Sequence, residues 1–221
     1  DRGRVTVEGF YDRVQPLSPE ERRSWRELGL DEGAILAAAG VDRSVGEEGY
    51  SVIERIWGRP CLDVNGIWGG YTGEGAKTVI PAEAHAKLSC RLVPDQRPAE
   101  IFSALRRHFE ARLPEGCRLD MRELGRGDPV CVPTDSPHLR AARDALREVF
   151  GREAALIGCG GSIPVVASFR RILGLDTILM GFGLDDDRMH GPNEKFELRC
   201  FERGIKSHAL LLARMAELAG G

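Results

Sequence analysis

The sequence predicts an α/β protein in two parts, a strand–helix–strand unit before a boundary within residues 125–136 and an alternating helix and strand part after it. Three observations carry that expectation. Ala84 to Val93 (AHAKLSCRLV) alternates apolar and polar residues, and Ile101, Leu105, Phe109 and Leu113 then recur at every fourth position. These are the periods of a half-buried strand and an amphipathic helix. Residues 125–136 (GRGDPVCVPTDS) gather Gly, Pro and Asp, as a boundary between domains does. Beyond them, helical patterns alternate with short apolar runs, which is how layered α/β structure reads.

In chain order, Arg4 to Phe10 (RVTVEGF) alternates like a strand from the outset, which reads as a chain that starts inside a structural element. Ser18-Pro19-Glu20-Glu21 offers a cap, a proline at the first helical position and acidic residues in the first turn. A second helical piece follows Asp31 and ends near Gly40. In the strand Ala84–Val93, Ala84, Ala86, Leu88, Cys90 and Leu92 share one face, and His85, Lys87, Ser89 and Arg91 share the other. Pro98 opens the helix that Pro114 and Gly116 stop, and Cys117 to Glu123 alternates again as a strand. Ser136-Pro137 caps a helix with Leu139, Ala142, Leu146, Val149 and Phe150 along one side, closed by Gly151. A short strand at 154–157, a helix over 163–173, an apolar strand at 177–182 and a long helix over 201–218 complete the expectation.

Hydrophobic residues make up 42 % and charged residues 29 % of the 221, the balance of a soluble globular chain. A net charge of −3 gives no basic footprint for nucleic acid or an anionic membrane surface. No apolar run approaches the roughly 20 residues of a membrane span, and no secretory signal opens the chain. The six cysteines form no C-x-x-C pair, so reduced, mostly buried thiols in a cytoplasmic protein are expected.

Three loops could carry chemistry. Gly69 to Pro81 is glycine-rich, but its spacing misses the phosphate-loop pattern, since Ala76 separates Gly75 from Lys77. Gly158-Cys159-Gly160-Gly161-Ser162 joins a strand to a helix, where adjacent glycines permit close approach of a ligand; for that motif alone a plain capped turn is the better reading. Met189-His190-Gly191-Pro192-Asn193-Glu194 follows an apolar strand, at the edge where open α/β sheets place their sites. A neutral imidazole there suits a metal, although a lone loop histidine is more often only exposed. The run Asp185-Asp186-Asp187 reads as a solvated turn. Arg91 has the fork that grips a carboxylate, against the plain reading of a surface arginine.

Taken together, Gly-Ala-Lys-Thr-Val-Ile-Pro (75–81), Arg-Leu-Val-Pro (91–94), Gly-Gly-Ser-Ile-Pro (160–164) and His190 with Pro-Asn-Glu (192–194) resemble the cytosolic dipeptidase and carnosinase branch of the zinc aminoacylase family. That family also includes acetylornithine deacetylase and succinyl-diaminopimelate desuccinylase. The resemblance covers nearly the whole chain, because Gly9-Phe10-Tyr11-Asp12 and the stretch 46–51 (GEEGYS) also look typical of bacterial members.

The resemblance implies a ferredoxin-like lid and dimerisation domain over 1–133, lacking its N-terminal part, and the C-terminal portion of an α/β catalytic domain over 134–221. It implies a homodimer whose lids complete each other's sites, and two zinc ions, with manganese or cobalt as substitutes. His190 matches the final zinc ligand. Thr78, Arg91 and Ser162 match positions that contact the substrate's carboxylate, with the Gly160-Gly161 backbone beside them. The other ligands and the general base would lie upstream, so this chain alone is expected to be inactive. Family members commonly carry Arg-Glu before Gly-Gly-Ser, where Gly158 and Cys159 stand here. Two rivals remain: a non-catalytic dimerisation or binding module from the same family, and a thiol enzyme with Cys159 as nucleophile and His190 as base.

Overall fold

The computed structural model describes residues 2–160 and 163–220. The chain divides into two compact units: Asp1–Val130 with Ile157–Ala167, and Cys131–Leu156 with Ser168–Gly221.

The first unit opens with three short helices, α1 (Pro19–Glu27), α2 (Glu32–Ala38) and α3 (Val52–Gly58). Each starts where a side chain can accept an orphan amide: Ser18, Asp31 and Ser51 cap them. Around α1 and α3 the capping is reciprocal, because Glu21 and Glu54 reach back to the amides of Ser18 and Ser51. Trp25 and Trp57 then meet edge to face at 5.5 Å.

Strands β1 (Cys61–Gly69) and β2 (Ala84–Arg91) form an antiparallel hairpin, in register from Cys61 opposite Arg91 to Gly69 opposite Ala84, with a bulge between Val64 and Gly66. Helix α4 (Pro98–Glu110) covers one end of it. Its Ile101, Ala104 and Leu105 form a core with Val7 and Phe10, against which Leu62, Cys90 and Leu92 pack. The expected face of β2 is therefore only partly realised: Leu88 and Cys90 are half-buried, while Ala84 and Ala86 are exposed. The core lies at the end of the hairpin that carries Leu62 and Cys90. At the other end Ile67 remains 79 % exposed.

A charged ladder ties the start of the chain to α1 and α3. The guanidinium of Arg4 lies over the Tyr11 ring at 4.3 Å, Arg59 lies over the Tyr50 ring at 4.4 Å and within 5.6 Å of Tyr11, and Arg22 lies over Tyr50 at 4.9 Å. Buried Glu47 accepts two hydrogen bonds from the buried Arg59, at 2.7 and 2.9 Å.

In the second unit, α5 (Pro137–Phe150) packs on the long α7 (Leu198–Ala219). The contact is made by Ala141, Ala142, Ala145 and Leu211, beside the fully buried Ser207. Of the expected apolar side, Ala142 is in this core, while Leu139, Leu146, Val149 and Phe150 are half-buried. Alanines let two helix backbones approach closely, whereas a row of leucines would hold them apart. Helix α6 (Pro164–Leu173) spans the junction of the two units in sequence.

The strands expected at 4–10, 117–123, 154–157 and 177–182 are also corrected: no strand is assigned there. A strand is defined by its neighbour, and among the described residues only β1 and β2 pair. The apolar alternation at 177–182 is nevertheless used, because Ile178 and Met180 pack on the α5–α7 core while Leu179 is 58 % exposed. The observed architecture is mixed helix and strand: over residues 1–133, where a ferredoxin-like domain was expected, the described residues form three short helices, the β1–β2 hairpin and α4.

Candidate metal and substrate site

His190 sits in the second unit, in the connection that leads into α7. The segment begins with a short 3₁₀ turn at Asp185–Asp187. Arg188, His190 and Asn193 then take left-handed backbone conformations, with φ of 54°, 65° and 59°. The amide of Gly191 donates to the Arg188 carbonyl at 2.8 Å. His190 is exposed, and among the described residues its ring has no hydrogen-bond partner.

The run of three aspartates is a turn with Asp186 exposed, as its composition implies, but Asp187 departs from that reading. Asp187 is 2 % exposed. One carboxylate oxygen accepts the Leu184 amide at 2.7 Å, and the other accepts the Lys195 ammonium at 3.0 Å. The Leu184 amide and then Lys195 hold this carboxyl below the usual aspartate range. Asp187 and then Asp186 hold the Lys195 ammonium well above the usual lysine range. Sequence reasoning missed this pair, since the stretch between Asp187 and Lys195 is a loop, where no helix or strand period says which side chains meet.

Thr78 and Arg91 belong to the first unit. Thr78 lies in the glycine-rich connection between β1 and β2, where Gly70 and Gly75 have φ of 66° and 84°. The Tyr71 hydroxyl donates to the Glu74 carbonyl at 2.9 Å, and Lys77 stands over the Tyr71 ring at 5.4 Å. Arg91 closes the opposite end of β2, across from Cys61. Both residues are exposed, and among the described residues neither side chain has a hydrogen-bond or ion-pair partner.

Gly158 and Gly160 lie against the carboxyl end of α3. A Cβ at Gly158 would meet the Trp57 carbonyl and stand 2.6 Å from Trp57 Cβ, and one at Gly160 would stand 2.9 Å from the Ile56 carbonyl. Backbone packing thus accounts for glycine at 158. Gly161 and Ser162 lie outside the described residues.

The six thiols are free: Cys117, Cys131 and Cys159 are exposed, Cys61 and Cys90 half-buried, and only Cys200 buried, which corrects the expectation of mostly buried cysteines. Among the described residues no three His, Cys, Asp or Glu side chains converge as a metal site. Among the described residues His190 would thus offer a metal one imidazole and no companion ligand. No helix among the described residues is long and apolar enough to cross a membrane.

Residues 12–214 match the model of peptidase family M20/M25/M40, and the chain belongs to that family. It is 29 % identical over 224 residues to the Cys-Gly metallodipeptidase DUG1 of Saccharomyces cerevisiae, covering 98 % of this chain and 46 % of that protein. It is 30 % identical over 220 residues to the human Beta-Ala-His dipeptidase, covering 98 % of this chain and 43 % of the relative. Among solved structures, an M20 family metallo-carboxypeptidase, Sso-CP2 from Sulfolobus solfataricus, superposes with a TM-score of 0.82 at 30 % identity, over 95 % of this chain and 48 % of that one. The chain thus spans about half the length of the relatives it matches.

Proposed function

We propose that this chain is the C-terminal part of a zinc-dependent enzyme that hydrolyses the amide bond of dipeptides or N-acyl amino acids, acting as a cytoplasmic homodimer. The observation that carries the reading is the reach of the family match. Residues 12–214 include the hairpin with Thr78 and Arg91 and the loop with His190. Two relatives that span this same stretch are dipeptidases by name.

In this reading the His190 imidazole is one ligand of a divalent metal, whose other donors lie outside this chain. Bound zinc supplies Lewis acidity toward a carbonyl and lowers the pKa of its water. The chain's own residues do the positioning. Arg91 grips the substrate's carboxylate through its two-pronged fork. Thr78, the Gly160-Gly161 backbone and Ser162 add hydrogen bonds to the same end, so that the amide carbon is held for attack.

The hairpin supports a site shared between two copies. From Ala84 to Arg91, β2 runs for about 24 Å at about 3.4 Å per residue, and Thr78 belongs to the connection at the Ala84 end. Thr78 of one copy and Arg91 of the other would then serve one substrate. Mixing the full-length Thr78→Ala and Arg91→Ala variants tests this. If the residues act across the dimer, the mixed dimer regains one intact site in two, and activity that stays at the level of the separate variants overturns the shared site.

The reading as a whole is tested by assaying full-length protein on Cys-Gly, β-Ala-His and an N-acetyl amino acid with zinc, manganese or cobalt supplied. Hydrolysis of at least one substrate, lost on chelation, is expected. No hydrolysis of any, with a dimer indifferent to metal, would leave the non-catalytic module instead.

A further inference from the structure

We propose that Asp187 and Lys195 are positioning residues for His190, a clamp that closes the base of its loop and holds the imidazole outward at the tip. The inference rests on the reading of His190 as a metal ligand. Its observations are independent of that reading.

Seven residues, 188–194, lie between the two ends of the clamp, and three non-glycine residues among them are left-handed: Arg188, His190 and Asn193. Asparagine and histidine are the non-glycine residues that enter that region most readily, but arginine adopts it at a conformational cost, and three such residues within seven need surroundings that hold them there. The imposing contacts lie at the base. Asp187 is buried and uses both carboxylate oxygens, one on the Leu184 amide at 2.7 Å and one on the Lys195 ammonium at 3.0 Å. The backbone repeats the closure, because the Lys195 amide donates to the Asp187 carbonyl at 3.0 Å. Lys195 is held further by Asp186 at 3.1 Å and Glu197 at 3.5 Å. Two residues eight apart are thus joined through main chain and side chain together.

What the clamp leaves out is as informative. The cations and carboxylates at the base are spent on each other, whereas the exposed His190 ring has no partner among the described residues. A ligand imidazole needs its direction fixed before a metal arrives, and residues that fix ligand direction typically change metal affinity about 10–100-fold when removed. Here the direction is set through backbone geometry, since the clamp's hydrogen bonds join Leu184, Asp187 and Lys195 to one another.

The test uses full-length protein carrying Lys195→Met, Asp187→Asn, Lys195→Arg or His190→Ala. Amide hydrogen exchange over residues 188–194 is read without metal, and zinc affinity by competition with a chromophoric chelator. Lys195→Met and Asp187→Asn are expected to speed exchange in the loop about tenfold or more, with α5 and α7 unchanged, and to weaken zinc about 10–100-fold. Lys195→Arg, which keeps the charge, is expected to stay closer to the parent in both. Unchanged exchange in both clamp variants overturns the clamp. Faster exchange with parental zinc affinity, while His190→Ala loses zinc, overturns the positioning role alone. Parental zinc affinity in His190→Ala overturns the ligand reading and the positioning role with it. Asp187→Asn keeps an oxygen for the Leu184 amide, so it reports on the clamp even if Lys195→Met fails to fold.

Discussion

The two units each contain a buried carboxylate paired with a cation, and they use it differently. In the first unit, Glu47 and Arg59 are both buried, and Tyr11 and Tyr50 lie alongside the guanidinium. Every strong group there is satisfied internally, so the cluster has nothing to offer a ligand. In the second unit, Asp187 is buried but Lys195 is 39 % exposed, and the residues between them project His190 into solvent. One cluster locks chain segments together, and the other presents a side chain. The two pairs are alike in burying a carboxylate and differ in whether the cation is buried with it.

This contrast can be broken most sharply at Glu47. Replacing Glu47 by Ala strands the Arg59 guanidinium, and chemical denaturation is expected to show a loss of about 3–5 kcal/mol. The double replacement Glu47→Leu with Arg59→Met should recover a large part of that loss, because no unpaired charge then remains buried. A double variant no better than Glu47→Ala would mean that the tyrosine stacking, and not the ion pair, carries the cluster.

In the second unit, overpacking the α5–α7 contact with Ala145→Leu, at a side chain with no exposure, is expected to cost about 1–3 kcal/mol in the same measurement. Among the candidate ligands, Arg91→Ala should lower kcat/KM of the full-length enzyme about 10- to 100-fold, as expected for a charged hydrogen bond of about 1.5–3 kcal/mol. Its thermal stability should be unchanged, because Arg91 is exposed and without a partner among the described residues. The smallest effect concerns the thiols. Burial pushes the Cys90 thiol up to about 11, so near pH 8 it stays protonated. Iodoacetamide should therefore label exposed Cys117, Cys131 and Cys159 well before Cys90, read by peptide mass spectrometry.

Much of the helical structure was readable from punctuation. Ser18-Pro19 and Ser136-Pro137 start helices where expected, and the left-handed Gly151 ends α5. Helix α3 was missed, although Ser51 and Glu54 spell the same capping box as Ser18 and Glu21. The strands fared worse for a physical reason. Alternation reports that one face is apolar, as Ile178 and Met180 show, but a ladder requires a second strand, and 177–182 has none among the described residues. Of the candidate site, Thr78, Arg91 and His190 stood out as residues in recurrent motifs. The Asp187–Lys195 clamp did not, because its closure depends on three left-handed residues that composition does not reveal.

Zinc-edge anomalous diffraction from crystals of the full-length protein is the most direct check on the role given to His190. The account predicts a strong anomalous peak about 2.0–2.1 Å from a ring nitrogen of His190, with Asp187 and Lys195 still paired behind it. A fully occupied zinc site with the His190 ring several ångströms away would contradict it.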